Sequence, residues 1–400
     1  MAFSETDKTA ILLKLMALGC TYYLAKLLYN TSTFHPLSTI PGPKLAAASY
    51  LPEFCVTLAE FGTVDHDLHR ARRAPSAKFF SRSMVIQLEG KIAALTQKLC
   101  DKILATRGRQ EPFDVNSAFS NLAVDIVSRA CFGESFGLLE HPGFVVNFSE
   151  PTRASLQHMY MWKFFPFTRK LNKMLAWIVD YLPENTALMV RTMQIDLPQH
   201  VQKTVDDYNT GKLCDRPTII HATLASDLRP EDKSLEYLMD ATFSVLGASA
   251  ETTSWALSVI IYHLLSQPDV KEKLTKELVE SIEDPRHLPS WTTLEKLPYL
   301  DAVIQEGLRL SYGASIRTAR IPTEEDLVYH GEWNDKSLRY TIPRGYAIGM
   351  SNAISNHDET LFPESHKFQP ERWMNPQRRR ELDHGHLAFG RGSRGCFGKK

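Results

Sequence analysis

The 400-residue chain has no excess of charge of either sign, because 46 aspartates and glutamates balance its 46 lysines and arginines. Nucleic-acid binding through phosphate contacts needs a basic excess, so this balance argues against a nucleic-acid partner. Cysteine is also scarce, and six cysteines are too few for a disulfide scaffold. Internal repeats and low-complexity segments are absent. A content of 43% hydrophobic and 23% charged residues is that of an ordinary globular protein, which excludes disorder and collagen.

An apolar run near the start of the chain, from Ala10 to Tyr29, has about the length that a helix needs to cross a bilayer. Lys14 and Lys26 lie near its two ends, from where their side chains can reach the membrane interface. No small-residue cleavage site follows, so we expect residues 1–30 to form a retained membrane anchor. A buried or amphipathic helix is the alternative. Residues 31–60 are rich in proline and predict a hinge with a remnant N-terminal region.

Apolar residues at three- and four-residue spacing predict helices over most of the remaining chain. The run from 235 to 265 is long and mainly apolar, and we expect Pro268 to end it. From 318 to 350, short β-prone segments alternate with turn residues. The sequence therefore predicts a mainly α fold with a minor β part.

One cysteine lies in an unusual setting near the end of the chain, in the run Phe389-Gly-Arg-Gly-Ser-Arg394-Gly-Cys396-Phe-Gly398. Glycines let backbone N–H groups approach the sulfur, and arginines favour its thiolate. A free cysteine in a glycine-rich surface loop is the alternative. The run also fits the dinucleotide fingerprint G-x-G-x-x-G, but it lacks the strand, the helix and the acidic residue that must surround that fingerprint.

The pattern Phe-x-x-Gly-x-Arg-x-Cys-x-Gly resembles the haem-ligand loop of the cytochrome P450 family, and all five defining positions match. The resemblance implies a cytochrome P450 fold with haem b (iron protoporphyrin IX) as cofactor. It also implies that Cys396 is the axial thiolate ligand of the haem iron. By the same resemblance, Arg394 contacts a haem propionate and Phe389 packs beside the sulfur.

A second motif is the pair Glu306 and Arg309, which share one helical face and can form a charge-assisted hydrogen bond. Alone, such a pair is typical of a solvated surface contact. The segment Phe-Gln-Pro-Glu-Arg372-Trp follows downstream, and cytochrome P450s carry these two motifs in this order before their cysteine. The resemblance therefore implies that Glu306, Arg309 and Arg372 form a buried structural network.

The long predicted helix contains Gly-Ala-Ser249-Ala-Glu251-Thr252-Thr, where polar residues interrupt an apolar sequence. An unpaired charge is costly to bury, so a carboxylate at Glu251, within an apolar helix, requires a structural or functional explanation. The resemblance implies that Thr252 hydrogen-bonds dioxygen and that Glu251 helps to relay protons. Ser249 departs from the family's usual glycine, and we expect it to narrow the oxygen site or to bend the helix by bonding to a carbonyl.

His69 and Arg73 belong to a basic segment that, taken alone, would form an anion-binding or partner-binding face. Cytochrome P450s carry a Trp and an Arg here, four residues apart, that reach the haem propionates. The resemblance implies this role for His69 and Arg73, with histidine at the position of the Trp. It also implies that Arg317 and Arg320 line the propionates or the pocket.

The resemblance covers residues 61–400 and is strongest to filamentous-fungal enzymes similar to trichodiene oxygenases. Compared with that pattern, an N-terminal segment of strands and helices before Phe61 is missing. The region after the loop of Cys396 is missing as well. We therefore expect an incomplete cytochrome P450 domain over residues 61–400, truncated after this loop.

The function that the resemblance implies is a haem-thiolate monooxygenase acting on an apolar small molecule, such as a terpenoid or another fungal secondary metabolite. Electrons would come from a separate NADPH-cytochrome P450 reductase-type donor. Seven lysines and arginines between residues 378 and 400 would suit an acidic donor, although a solvated loop explains the three consecutive arginines equally well. The anchor predicts the endoplasmic reticulum membrane as the location, with the body in the cytosol. The alternative is a truncated, non-catalytic P450-like protein with poor or no haem binding.

Overall fold

The computed structural model describes residues 5–35, 63, 65–108, 111–144, 175–182, 187, 190–212, 218–315, 318–333 and 336–399. Helices dominate these residues, and the strands are few and short. The prediction of a mainly α fold with a minor β part is confirmed. The chain divides into a smaller unit, residues 1–54 with 317–350, and a larger unit, residues 55–316 with 351–400.

Among its described residues, the smaller unit contains one helix and two small sheets. The helix is α1 (Glu5–Thr31), and the strands are β1 (Thr318–Arg320), β2 (Leu327–Trp333), β3 (Lys336–Ile342) and β4 (Ile348–Met350). Strands β1 and β4 pair antiparallel, with Thr318 opposite Met350. Strands β2 and β3 form an antiparallel hairpin, with Leu327 opposite Ile342.

Helix α1 occupies the position of the predicted membrane anchor. Within the part of the chain that the structure describes, however, no helix is both long enough and apolar enough to cross a membrane. Lys14 and Lys26 interrupt the apolar run of α1, and both side chains are exposed. The predicted anchor over residues 1–30 is therefore not supported. Most of the predicted hinge, residues 36–60, lies outside the described residues.

The other helices that the structure describes belong to the larger unit. They are α2 (His66–Ala77), α3 (Arg82–Leu104), α4 (Val115–Phe132), α5 (Leu197–Asn209), α6 (Ile219–Leu224), α7 (Leu235–Ser266), α8 (Pro268–Ser281), α9 (Trp291–Leu294), α10 (Pro298–Ser311), α11 (Asn352–Asn356) and α12 (Pro376–Gly385). Short 3₁₀ turns lie at Lys78–Phe80, Pro230–Lys233, Pro370–Met374, Gly392–Arg394 and Phe397–Lys399, among others.

Helix α7 is the long helix that the sequence predicts. Its N-terminus is capped by Ser234, whose hydroxyl accepts the N–H of Tyr237 at 3.3 Å. It ends at Ser266, before Gln267 and Pro268, because a proline ring disfavours the helical conformation in the residue that precedes it. Pro268 then occupies the first position of α8, where its missing N–H costs nothing. The predicted end of this helix at Pro268 is confirmed.

The main hydrophobic core lies where α4 and α7 pack together, with contributions from α5 and α6. Val124, Val201, Ile220 and Leu246 come from these four helices and are almost completely buried. A second cluster joins α8 and α10 to Phe368, just before the turn Pro370–Met374. Burial of these apolar side chains holds α7 and α10 in place, and both helices carry predicted site residues.

Candidate functional site

Cys396 lies exposed on the cysteine loop, which we define as residues 389–398. Its backbone N–H donates to the carbonyl oxygen of Phe389 at 2.8 Å, and this bond closes the loop on itself. Gly390 and Gly392 have φ values of 62° and 71°, in the left-handed region that favours glycine. The loop therefore needs glycine at these positions, and its main chain fixes the backbone that carries the thiol.

Helix α2 reaches the cysteine loop through Arg73. One guanidinium nitrogen, Nη2, donates to the carbonyl oxygen of Gly395, and the guanidinium carbon lies 3.7 Å from the ring centroid of Phe397. The ring of Phe397 stacks on that of Phe80, with centroids 5.3 Å apart. Phe80 in turn packs against the core cluster that contains Ala250 of α7. Cation–π and stacking contacts thus connect the loop to the main core.

The other two predicted propionate residues of this region are also close to α2. Arg394 donates through Nη1 to the carbonyl oxygen of Thr63, just before α2, at 2.7 Å. His69 is buried and lies one helical turn before Arg73, so the two side chains share a face of α2. The structure therefore brings Arg73 and Arg394 together on the loop of Cys396 and places His69 on the same face of α2 as Arg73.

Glu306 of α10 is the centre of a buried hydrogen-bond network, and its exposed fraction is 0%. Its Oε2 accepts from Arg309 Nε at 2.9 Å and from Trp373 Nε1 at 2.8 Å. Its Oε1 accepts from Arg309 Nη2 at 2.8 Å, from Arg372 Nε at 3.0 Å and from the Gln369 N–H at 3.0 Å. The structure therefore brings all three residues of the predicted network together and surrounds one carboxylate with five donors.

Arg309 is equally buried and uses its remaining N–H groups on main-chain oxygens. Nη1 donates to the carbonyl oxygens of Asn356 at 2.8 Å and Ser365 at 2.7 Å. Burial acts to raise the pKa of Glu306, but the hydrogen bond and charge of Arg309 and the charge of Arg372 outweigh it and lower the pKa below its ordinary value. Glu306 is therefore a carboxylate in the folded protein, and the network pins α10 to the chain between 356 and 373.

Thr252 and Glu251 lie on α7, and the side chain of Thr252 is exposed. The Thr252 hydroxyl donates to the carbonyl oxygen of Ala248 at 2.8 Å. The sequence predicts that Ser249 narrows the oxygen site or bends the helix by bonding to a carbonyl, and in the structure Thr252 makes a bond of this second kind. Helix α7 continues through this segment from Leu235 to Ser266.

Arg320 lies in the smaller unit, on strand β1 opposite Ile348, and its side chain is exposed. The residues around Cys396 belong to the larger unit. Arg317 lies outside the described residues. The role of Arg320 toward a propionate stays a prediction of the family resemblance.

The three consecutive arginines of α12 differ in their surroundings. Arg379 donates to Asp301 at 2.6 Å and to Asp383 at 3.0 Å, and Arg378 donates to the carbonyl oxygen of Leu361 at 2.9 Å. Both are partly buried, whereas Arg380 is exposed. Two of the three arginines therefore hold α12 on the larger unit.

Sequence reasoning missed two residues that border the site. Gly313 follows α10 with a φ of 56°, and a Cβ atom there would lie 2.8 Å from the carbonyl oxygen of Ala388. His386 packs its ring 5.3 Å from that of Trp373, and burial, aided by the charge of Arg309, lowers its pKa to about 4. A glycine directly after a predicted helix is a usable signal for the first residue. The second has none, because burial of His386 depends on tertiary packing.

The residues around Cys396 suit a haem in their donor chemistry. The exposed thiol is a soft ligand of the kind that binds haem iron. Arg73 and Arg394 supply the planar guanidinium groups that recognise carboxylates. A Cβ atom at position 398 would lie 3.8 Å from Cys396 Sγ, in van der Waals contact, and glycine leaves this side of the thiol open. Thiol, cations and glycines therefore fit the group that the resemblance implies.

Comparison with known proteins gives consistent results. A model of the cytochrome P450 family matches residues 60–400. The chain is 34% identical to the cytochrome P450 monooxygenase ppzE of Metarhizium majus, over 92% of each chain. It is 30% identical to the tryptophan 6-hydroxylase fscE of Fusarium equiseti, over 92% of this chain and 71% of the relative. A crystal structure of a cytochrome P450 (CYP102L1) shows the same fold, with a TM-score of 0.65 and 18% identity, over 86% of this chain and 71% of the other.

Proposed function

This chain belongs to the cytochrome P450 family of haem-containing monooxygenases, and we propose that it inserts one oxygen atom from dioxygen into an apolar small molecule of fungal secondary metabolism. The observation that carries the proposal is the cysteine loop. Its main chain is closed by the bond from Cys396 to Phe389, its thiol is exposed, and two arginines lie on it. A merely structural cysteine is usually buried and inert.

The loop residues would hold the cofactor. Cys396 would bind the iron through Sγ, and Arg73 and Arg394 would bind the propionates, with His69 on the same face of α2 as Arg73. When bound, the haem supplies the activation of dioxygen. Phe397 would keep water from one side of the loop, since its ring is covered by Phe80 and by Arg73.

The proton needed by the reaction would come from α7. Thr252 holds a proton on Oγ1, which now points to the carbonyl oxygen of Ala248. Rotation about the Cα–Cβ bond would turn this donor away from the helix, toward a molecule on its exposed side. Glu251, the preceding residue, is partly buried and would return a proton to the hydroxyl as a general acid.

The electrons would come from a separate reductase-type partner. Exposed cations in this part of the chain include Arg380 and Lys399, and they would be available to an acidic donor. Arg378 and Arg379 contribute less to such a surface, because they are engaged by Leu361, Asp301 and Asp383. Location at the endoplasmic reticulum membrane stays a prediction of the family resemblance, and fractionation of the tagged protein would test it.

The substrate class is proposed from the relatives and from the character of the reaction. One relative is named for hydroxylation of tryptophan, an aromatic molecule. We propose an apolar or aromatic carbon skeleton, of which a terpenoid is one example, for this chain. A screen of terpenoid and indole compounds for spectral shifts of the bound haem would distinguish the two.

The test of the proposed function is the carbon monoxide difference spectrum of the reduced protein. We expect the absorbance band of thiolate-ligated haem. The variant Cys396→Ser should lose this band, whereas Cys100→Ser, which changes another exposed cysteine on α3, should keep it. Absence of the band in the wild-type protein after haem supplementation would favour the alternative, a P450-like protein without catalysis.

A further inference from the structure

We propose that Asp232 is a positioning residue for the haem site, because it holds Arg72 and thereby the contact between helix α2 and the cysteine loop. Asp232 lies in the turn Pro230–Lys233, directly before the long helix α7. It is far in sequence from both α2 and the cysteine loop. The inference rests on the proposed function in one respect, since it takes the cysteine loop to be the haem-binding element.

Asp232 is a buried carboxylate with an exposed fraction of 1%. Its Oδ1 accepts from Arg72 Nε at 2.9 Å and from Arg72 Nη2 at 2.5 Å. Its Oδ2 accepts from Arg229 Nε at 2.9 Å. Both carboxylate oxygens are therefore used, and two cations share one buried anion.

The charge of Asp232 is retained despite its burial. Desolvation alone would raise the pKa of this carboxyl, but the hydrogen bonds from Arg229 and Arg72 outweigh it and lower the pKa below its ordinary value. A buried charge of this kind is costly unless it is paired and hydrogen-bonded. Replacing it would leave Arg72, itself largely buried, without its counterion.

Arg72 transmits the position of Asp232 to the cysteine loop. Its third nitrogen, Nη1, donates to the hydroxyl oxygen of Thr63 at 2.8 Å. The carbonyl oxygen of the same Thr63 accepts Arg394 Nη1 at 2.7 Å. A continuous chain of hydrogen bonds therefore runs from Asp232 through Arg72 and Thr63 to Arg394, two residues before Cys396.

A second contact between α2 and the loop depends on the same arginine. Arg73 follows Arg72 directly, and it donates to the carbonyl oxygen of Gly395. The guanidinium of Arg72 is planar and is held at all three of its nitrogens, so it fixes the rotation of α2 about its axis. That rotation determines whether Arg73 reaches Gly395. Asp232 thus acts on both loop contacts without touching the loop.

The experiment compares Asp232→Asn with Glu231→Gln, the matched control. Both variants remove one negative charge from the same turn, but Glu231 is exposed, and its carboxylate pairs with Arg229 at 3.1 Å. A second pair tests the next link without a charge change: Thr63→Val removes the hydroxyl that Arg72 uses, and Thr63→Ser keeps it. Circular dichroism verifies that each variant is folded.

The readouts are the rate of haem transfer from the holoprotein to apomyoglobin and the fraction of thiolate band in the carbon monoxide spectrum. Loss of a hydrogen bond to a charged group of this kind corresponds to about a tenfold change in an equilibrium or rate constant. We therefore expect Asp232→Asn to lose haem about tenfold faster and to show a smaller thiolate band, with Glu231→Gln unchanged. Thr63→Val should shift in the same direction, and Thr63→Ser should match the wild type.

Amide hydrogen exchange of a peptide covering 389–398 provides a readout that does not need haem. If Asp232 positions the loop, Asp232→Asn should speed this exchange, while Glu231→Gln should not. A folded Asp232→Asn variant that equals Glu231→Gln in exchange and in haem transfer would overturn the inference. If that variant does not fold, equal behaviour of Thr63→Val and Thr63→Ser would overturn it. A wild-type protein without a thiolate band would instead contradict the proposed function, and exchange would still decide the role of Asp232.

Discussion

Replacing Glu306 by glutamine is the sharpest test of the buried network. The substitution keeps the shape of the side chain and removes its charge. Glu306 accepts two hydrogen bonds on Oε2 and three on Oε1, all from donors. The NH₂ group of a glutamine cannot accept a hydrogen bond. In the better of the two amide orientations, the NH₂ group takes the place of Oε2, faces Arg309 Nε and Trp373 Nε1, and two hydrogen bonds are lost.

The expected cost follows from this geometry. Each buried donor that loses its acceptor costs about 1–3 kcal/mol, and Arg309 also keeps a buried charge without a carboxylate. Breaking a buried pair by removing one partner typically costs about 3–5 kcal/mol. We expect Glu306→Gln to lose this amount, a large share of a typical total of about 5–15 kcal/mol.

The assay is urea denaturation of the purified protein, followed by tryptophan fluorescence. The matched control is Glu134→Gln, which removes the acceptor of Lys203 at 2.7 Å in an ion pair whose side chains are about half exposed. We expect this control to lose less than about 1 kcal/mol, because water screens exposed pairs. A loss at Glu306 no larger than that at Glu134 would refute the view that the network holds α10.

The stability lost in Glu306→Gln should also depend on pH, and the direction of this dependence is fixed by the pKa of Glu306. Because folding lowers the pKa of Glu306, its contribution to stability is complete above the ordinary carboxyl pKa and disappears as the pH falls through the lower, folded value. The difference between wild type and Glu306→Gln should therefore shrink in acid. A difference that grows in acid would contradict the lowered pKa.

Three further outcomes follow from the same structure. Folding lowers the pKa of His386 to about 4, so between about pH 6.5 and pH 4 the unfolded chain binds a proton that the folded protein does not, and acid destabilises the fold. We expect His386→Phe to remove about 2 kcal/mol of this destabilisation at about pH 5, measured from urea denaturation midpoints. An equal loss of stability in acid for the variant and the wild type would contradict this. Gly313→Ala should lower the melting temperature more than Gly211→Ala. Both glycines have positive φ, but of the two only Gly313 would bring its new Cβ against a carbonyl oxygen, at 2.8 Å. Equal melting temperatures of the two variants would count against that contact. Thr252→Ala should keep the thiolate band and form less product per NADPH consumed, because the Oγ1 proton is lost; full product yield would exclude Thr252 as the donor.

Short-range patterns predicted a large part of the site. Glu306 and Arg309 lie on one helix at a fixed spacing, so helical geometry alone places them on one face. The end of α7 was predictable because proline restricts the residue before it. The family resemblance added Arg372, and the structure places its Nε 3.0 Å from Glu306.

The long-range contacts could not be predicted from the sequence, for a physical reason. Trp373 donates to Glu306, and Asp232 holds Arg72, over separations of 67 and 160 residues. No periodicity relates such residues, because packing of the whole unit decides which of them meet. The basic segment around Arg72 therefore suggests a partner-binding face in sequence, whereas in the structure this arginine is turned inward. The predicted anchor is a different case, because among the described residues no helix is both long enough and apolar enough to cross a membrane.

Two buried carboxylates of the larger unit, Glu306 and Asp232, have a common design. Glu306 forms ion pairs with Arg309 and Arg372. Asp232 forms ion pairs with Arg72 and Arg229. Each anion therefore binds two guanidinium groups from different segments. Apolar side chains of similar volume are often as stabilising as such buried ion pairs, so stability alone does not explain them. Ion pairs with fixed fork geometry do supply orientation, which apolar packing does not. Under the proposed function, the thiol of Cys396, Arg394 of the loop and Arg73 of α2 would have to meet one rigid cofactor, and small misplacements of such binding groups are costly.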